Sequence, residues 1–292
     1  MDHIRTIALV GAGQMGAGIA QVAATSGYDV RVYDTRAVAL QNASKSVAKS
    51  LDKSAAKGRL QDGETAEEVA SRIVWTSDFD ALRDADFAIE AVVENEATKR
   101  GVFQRLDKLL DPRAIVASNT SSIPITKLCA ATERADRVIG MHFMNPVPIM
   151  KLVEVIRGLP TSDETFKATV EIAHQLGKTT CESQDYPGFI VNRVLIPFIN
   201  EACYAVMEGV ASPTDVDKSC RLGLNHPMGP LALADFIGLD TVLAIAEVLH
   251  AGLGDAKYRP CPLLRQYVDA GWLGRKTGRG FYDYTSNANT DA

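Results

Sequence analysis

The chain has 292 residues, 46% of them hydrophobic, which is material for sizeable cores at a length suited to about two domains. Its 31 Lys and Arg against 36 Asp and Glu leave a net charge of −5, without the dense basic run that nucleic acid or an anionic membrane selects, so neither partner is expected. Five cysteines, Cys129, Cys181, Cys203, Cys220 and Cys261, are odd in number and form no Cys-x-x-Cys, which fits neither a disulfide framework nor a zinc site and points to buried thiols in a reducing cytoplasm, with no metal.

In chain order, residues 7–10 have the length and branching of a buried parallel strand. They break at Gly11 into Gly11-Ala12-Gly13-Gln14-Met15-Gly16, after which Ile19, Ala20, Ala23 and Ala24 recur at helical spacing. Each glycine has its own reason: Gly11 permits the tight turn, Gly13 lets the backbone approach a pyrophosphate, and Gly16 lets helix and strand pack closely. The helix N-terminus then aims its N–H groups at the phosphates. A second strand, residues 29–33, ends at Asp34, close to the roughly 20-residue offset at which an acid receives a ribose 2′-OH. Strand, turn, helix and acid together predict a dinucleotide site. A carboxylate at Asp34 repels the 2′-phosphate of NADP, so NAD is the expected cofactor. Arg36 is the contrary sign, unless it is a solvated side chain at a helix start. The first strand begins so near the N-terminus that no signal or transit peptide is expected, and no apolar run approaches the roughly 18 residues of a membrane span.

Residues 35–57 read as a long helix, followed by a break at Gly58 and Gly63 and a short helix over 66–72. Lys45, Lys49, Lys53 and Lys57 recur every four residues and form one stripe, with Asp52 the only acid in its span. Such a stripe is either a solvated face or a strip that receives an anion. Residues 73–76 and 85–93 read as strands with Ser77-Asp78 offering an N-cap between them, and 99–110 as an amphipathic helix ended by Asp111-Pro112. Buried strands at 114–118 and 138–141, then 152–156, a helix at 165–176 and a strand at 179–182 continue the alternation. This predicts an α/β, Rossmann-like, doubly wound and mostly parallel sheet over residues 1–185.

The best boundary is Asp185-Tyr-Pro187-Gly188. Beyond it helical patterns cover 189–208, 213–222, 230–237, 241–249 and 262–270, which predicts an all-α domain over 186–284 and a disordered polar tail over 285–292. The helix at 189–208 is apolar around most of its circumference and must be buried. A homodimer formed through this domain would bury it; burial within one subunit is the alternative.

Proton-transfer chemistry is suggested by two residues. His142 ends an apolar strand, and Glu154 sits in the middle of the next, where a carboxylate needs a partner. If the two strands fold back on each other, Glu154 accepts from one ring nitrogen and the other faces a cleft, giving a base of fixed tautomer. Otherwise His142 is a satisfied structural histidine beside an unrelated acid. The residues alone leave both readings open.

The glycine motif, Glu90-Ala-Val-Val-Glu94-Asn, Ser118-Asn-Thr-Ser121-Ser, His142-Phe-Met-Asn-Pro with Met150-Lys-Leu-Val-Glu154, Pro187-Gly-Phe-Ile-Val-Asn192-Arg, Pro227-Met-Gly-Pro and Gly274-Arg-Lys276-Thr-Gly-Arg-Gly-Phe-Tyr occur in order. They resemble the L-3-hydroxyacyl-CoA dehydrogenase family nearly end to end. The resemblance is closest to the short bacterial members acting on 3-hydroxybutyryl-CoA, so no fused hydratase domain is expected. It implies NAD-dependent oxidation of an (S)-3-hydroxyacyl-CoA to the 3-ketoacyl-CoA, and the reverse. It also implies roles: His142 as general base and acid, Glu154 as its partner, and Ser121 and Asn192 as groups orienting the substrate oxygens. Glu94, Lys99, Asn119, Asn145 and Lys276 join the glycine loop and Asp34 as NAD contacts. Ser50 and Lys57, with Lys53 beside them, match the contacts to the phosphorylated end of coenzyme A. Asn192 also stands out on its own, because an amide in an apolar run is costly unless bonded. Met144 replaces the aromatic residue expected after His-Phe, a packing difference near the base. Two rival functions share the fold: a dehydrogenase of a sugar acid or carnitine, which would lack coenzyme A recognition, and a crystallin-like protein that binds NAD without turnover.

Overall fold

The computed structural model describes residues 4–61 and 63–285. Strand β1 (Thr6–Val10) buries every residue from Ile7 onward, helix α1 (Gln14–Thr25) turns Ile19, Ala20, Ala23 and Ala24 inward, and β2 (Asp29–Tyr33) lies parallel to β1 from Thr6↔Asp29 to Val10↔Tyr33. Helix α2 (Ala37–Ala55) presents Leu40, Ala43, Val47 and Leu51 to the core at helical spacing. Helix α3 (Ala66–Ser71) opens with a reciprocal capping box between Thr65 and Glu68 and leads into β3 (Ile73–Thr76). There follow β4 (Phe87–Glu90), α4 (Glu96–Leu109), β5 (Ile115–Ser118), α5 (Ile125–Cys129), β6 (Val138–Phe143), β7 (Leu152–Arg157), α6 (Asp163–Gln175) and β8 (Thr179–Gln184).

Among the described residues these strands form one eight-stranded sheet in the order β3-β2-β1-β4-β5-β6-β7-β8. Every neighbouring pair is parallel except β6 with β7. The chain winds outward from β1 to β3, then returns to β4 and continues the other way, so the crevice between the C-terminal ends of β1 and β4 is a switch point, the place where open α/β sheets take ligands. The doubly wound, mostly parallel sheet expected from the alternation of elements is the fold adopted.

One compact unit runs through Tyr186 and a second starts at Pro187. The second is helical: α7 (Val191–Met207), α8 (Pro213–Gly223), α9 (Pro230–Ile237), α10 (Leu239–Leu253) and α11 (Pro262–Asp269), packed around Ile199, Leu231, Leu239, Val242 and Leu264. Two buried carboxylates tie it together. Asp217 accepts from the Leu231 and Ala232 N–H groups at the start of α9, both at 2.8 Å, and from the Tyr282 hydroxyl. Asp235 accepts from the Phe281 and Tyr282 N–H groups and the Tyr284 hydroxyl, and its burial pushes the carboxyl above the ordinary range.

Several elements differ from their sequence patterns for identifiable reasons. Strand β4 stops at Glu90, because the Val92 N–H turns back to the Glu90 carboxylate at 2.7 Å. Helix α4 starts three residues earlier than its apolar pattern, at Glu96, because the Asn95 side chain caps it by accepting from the Thr98 N–H. Helix α2 ends at Ala55, so Lys57 lies in the turn beyond it and the helical stripe is Lys45, Lys49 and Lys53. Helix α7 buries Asn192, Ile196, Ile199 and Cys203 on one face but leaves Val194 66% exposed, so one chain covers only part of its apolar circumference. Cys181 is exposed and Cys220 half-buried, so only Cys129, Cys203 and Cys261 are interior thiols. No helix among the described residues is long and apolar enough to cross a membrane. Of the tail expected to be disordered, residues 286–292 lie outside the described residues.

A Cβ added at Gly16 would stand 1.9 Å from the Gly11 carbonyl oxygen, a contact only backbone movement can relieve. Gly16→Ala is therefore expected to destabilise the first unit by about 1–3 kcal/mol, the usual cost of overpacking. Urea unfolding checks this, and an unchanged midpoint would mean that the turn yields freely.

Candidate active site

The turn after β1 is built by close backbone approach. Gly11 has φ 111°, donates its N–H to the Tyr33 carbonyl at 2.8 Å, and lies where a Cβ would meet the Ala91 carbonyl at 2.6 Å. At Gly13 an added Cβ would meet nothing within 4 Å, so open space fronts the turn. Helix α1 begins there with no side-chain cap and no acid in its first turn, the condition under which a helix N-terminus receives an anion. Met15 packs on the core, and the Gln14 amide donates to the Asn145 side-chain oxygen at 3.0 Å, tying the turn to the segment after β6.

Asp34 is buried at the end of β2. Its carboxylate accepts from the Ala12 N–H and the Arg36 N–H, each at 2.9 Å, and from the Arg36 guanidinium. Burial alone would raise its pKa; these donors and the guanidinium charge outweigh it and hold the carboxyl below the ordinary range. Arg36 is mostly solvated and reaches back to Asp34.

Antiparallel pairing of β6 and β7 sets His142 directly across from Glu154. The imidazole Nδ1 is 2.7 Å from Glu154 Oε2, with Glu154 fully buried and His142 8% exposed. A carboxylate on Nδ1 favours the tautomer with the proton there, which puts the ring's lone pair on Nε2.

Behind these lies a charge network centred on the buried Lys99. Lys99, only 1% exposed, donates to Glu90 Oε1 at 2.7 Å and lies 3.4 Å from Glu94 Oε2. The second Glu90 oxygen accepts from the Ser118 hydroxyl at 2.6 Å. Glu94 Oε1 accepts from the Thr120 hydroxyl at 2.5 Å, the Ser121 and Ser122 N–H groups at 3.0 and 3.1 Å, and the Ser122 hydroxyl. Burial would raise the Glu94 pKa, but the Lys99 charge and these donors hold it below the ordinary range. The Asn119 side-chain oxygen accepts from the Phe143 N–H at 2.9 Å, beside His142. The loop after β5, with Asn119 and Ser121, is therefore held from both sides. Glu90, Ser118 and Thr120 were not singled out in the sequence, although Glu90 carries the same signal as Glu154, a carboxylate in an apolar strand.

A cleft of about 430 Å³ lies beside the glycine turn, bounded by Gly13, Gln21, Ser46, Ser50, Asn145 and Val147 among others. Ser50 is on its wall; Lys57 is exposed in the turn past α2. A larger cavity, about 670 Å³, opens at the opposite ends of the strands near Asp86 and Ile115 and contains none of the expected site residues. In the second unit, Asn192 is buried in the first turn of α7, and the Lys276 ammonium is held by both oxygens of Asp240 at 2.5 and 2.7 Å.

Sequence models of the NAD binding domain and the C-terminal domain of 3-hydroxyacyl-CoA dehydrogenase match residues 6–186 and 188–284. The chain belongs to the 3-hydroxyacyl-CoA dehydrogenase family. A probable 3-hydroxybutyryl-CoA dehydrogenase of Bacillus subtilis is 57% identical over 97% of this chain and 98% of the relative. A 3-hydroxybutyryl-CoA dehydrogenase of Bradyrhizobium diazoefficiens is 54% identical over 96% of each. The crystal structure of an (S)-3-hydroxybutyryl-CoA dehydrogenase from Ralstonia eutropha superposes with a TM-score of 0.93 at 50% identity, covering 97% of this chain and all of that one. NAD is thus the cofactor of this family member, and the glycine cradle, the uncapped α1 and Asp34 fit it.

Removing the shared cation of that network should be costly in this dehydrogenase. Lys99→Met is expected to lose about 3–5 kcal/mol, the cost of leaving a buried charge without its partner. Glu90→Gln with Lys99→Met should lose less than the two single variants added together, as denaturant unfolding would reveal; additive losses would show that the groups do not interact. Because the Glu94 pKa is depressed in the fold, its contribution is present above the ordinary carboxylate pKa and lost as pH falls through the folded value. Glu94→Gln should accordingly flatten the acid limb of a stability–pH curve.

Proposed function

We propose that this dehydrogenase oxidises (S)-3-hydroxyacyl-CoA thioesters, 3-hydroxybutyryl-CoA foremost, to 3-ketoacyl-CoA with NAD, and runs the reverse reduction. The observation that carries the reading is the His142–Glu154 pair at 2.7 Å, a buried carboxylate on an imidazole at the carboxyl end of the sheet. With Glu154 holding Nδ1–H, Nε2 of His142 removes the 3-hydroxyl proton during oxidation and returns it during reduction. Bound NAD supplies the hydride chemistry. The residues Gly11, Ala12, Gly13, Gln14, Met15 and Gly16 hold its pyrophosphate side and Asp34 its ribose, which disfavours NADP. Glu94, Asn119, Asn145 and Lys276 complete the NAD contacts, and Lys99, being buried, serves by holding Glu94. Ser121 and Asn192 orient the substrate oxygens, and Ser50 and Lys57 receive the phosphorylated end of coenzyme A. The names of the relatives support the short acyl chain.

The assembly is a homodimer formed through the helical domain, supported by the apolar side chains Val194, Val210, Leu222 and Leu224 that stand exposed on it. Five free cysteines support a reducing cytoplasm.

NADH oxidation with acetoacetyl-CoA is the deciding assay. Turnover of a free hydroxy acid with none of the thioester would favour the sugar-acid or carnitine reading, and NADH binding without any turnover the crystallin-like one. His142→Gln should lower kcat by about 10²–10⁴, the usual worth of a general acid–base group, while NADH affinity measured by fluorescence stays near wild type. Glu154→Gln should lose rate as well, and full kcat in either variant would remove that residue from the proton transfer.

A further inference from the structure

Lys178, between α6 and β8, is a buried cation that the proposed chemistry does not use. It is 8% exposed, and burial pushes its ammonium below the ordinary lysine range. Its Nζ donates to the Val147 carbonyl at 2.5 Å and the Met150 carbonyl at 2.9 Å. An apolar side chain of similar volume would avoid the desolvation of a charge, so what this lysine contributes lies in the groups that it holds.

It holds the segment between β6 and β7. Residues 145–150 include Pro146 and Pro148, which have no N–H, so this stretch cannot be fixed by a strand ladder. The Ile149 and Met150 N–H groups fold back to the Pro146 carbonyl at 3.0 Å, which leaves the Val147 and Met150 carbonyls to be satisfied from the other side. Val147 is buried against α1, where a Cβ on Gly18 would come within 3.0 Å of its own Cβ, while Ile149 and Met150 stand out towards solvent. The same segment forms one wall of the 430 Å³ cleft, facing Asn42, Ser46 and Ser50 of α2.

We propose that Lys178 is a positioning residue for the acyl-CoA thioester: by pinning residues 147 and 150 against the sheet, its ammonium sets the width of the cleft between this segment and α2. The inference rests on the proposed reading that Ser50, on the wall of this cleft, receives the phosphorylated end of coenzyme A. Lys178 touches neither substrate nor cofactor and acts through the wall it holds.

The test combines kinetics with hydrogen exchange. In Lys178→Met, the KM for acetoacetyl-CoA should rise about tenfold, about 1.4 kcal/mol of lost positioning, with kcat within about threefold of wild type. The Ile149 and Met150 amides should exchange faster, while those of β6 and β7 keep their protection. Lys178→Arg, which keeps charge and donors, should recover much of the KM. A wild-type KM and wild-type exchange in Lys178→Met would overturn the proposal. So would parallel losses of kcat and KM with faster exchange across the whole sheet, which would make the lysine a general stabiliser. If Lys178→Met does not fold, the wild-type protein decides: unprotected exchange at Ile149 and Met150 overturns the pin. Absence of acetoacetyl-CoA turnover in the wild type would instead sink the proposed function, and the exchange data would still read the pin.

Discussion

The pairing of β6 with β7 is the one reversal among the described strands of an otherwise parallel sheet, and the juxtaposition of His142 with Glu154 depends on it. Parallel neighbours are joined by crossovers, whereas this reversal brings Glu154 from the middle of one strand to His142 near the end of another, both inside the sheet. A fully buried carboxylate is tolerated only with donors, and the imidazole is one of them. The same reversal creates the segment over 144–151, tied to the glycine turn through Gln14 and Asn145 and to the sheet edge through Lys178. One topological choice therefore sets both the histidine and a wall of the adjoining cleft.

Around that reversal, carboxylates fix loops rather than strands. Asp34 holds the N–H of Ala12 in the glycine turn, Glu94 gathers the N–H groups of Ser121 and Ser122 after β5, and Asp185 caps α5 through the Ile125 and Thr126 N–H groups. Loops at the carboxyl ends of parallel strands cannot satisfy their N–H groups by pairing, so carboxylates do it. A loop held in this way is set before any ligand arrives, and a site that need not reorganise loses less on binding. The charge also matters: the buried Lys99 pairs with the buried Glu90 at the end of β4 and with Glu94, which is partly open to solvent, in the loop beyond, so two acids share one cation.

The second unit uses the same device, with Asp217 and Asp235 as its internal acceptors, yet it leaves part of α7 uncovered. A helix apolar on nearly every side, in a small unit of its own, has more apolar surface than the helices packed on it can hide. This is the physical support for reading the dimer as a property of the helical domain.

The glycine turn, Asp34 and the alternation of strands and helices were legible in the sequence, because each depends on periodicity and turn chemistry acting over a few residues. The Asn95 cap was also local and could have been read from Asn95-x-x-Thr98, which would have placed the start of α4 correctly. Helix α5 could not, since the carboxylate that caps it comes from 60 residues further along the chain. For His142 and Glu154 the residues alone left two arrangements open; the resemblance implied the pair, and the register of β6 on β7 sets the two side by side. Nothing in the residues beside Lys99 or Lys178 signals that they are buried; their burial is imposed by packing from elements distant in the chain. Desolvation is a property of the surrounding fold and leaves no trace in neighbouring residues, so the charges that hold this site could be assigned partners only by the tertiary structure.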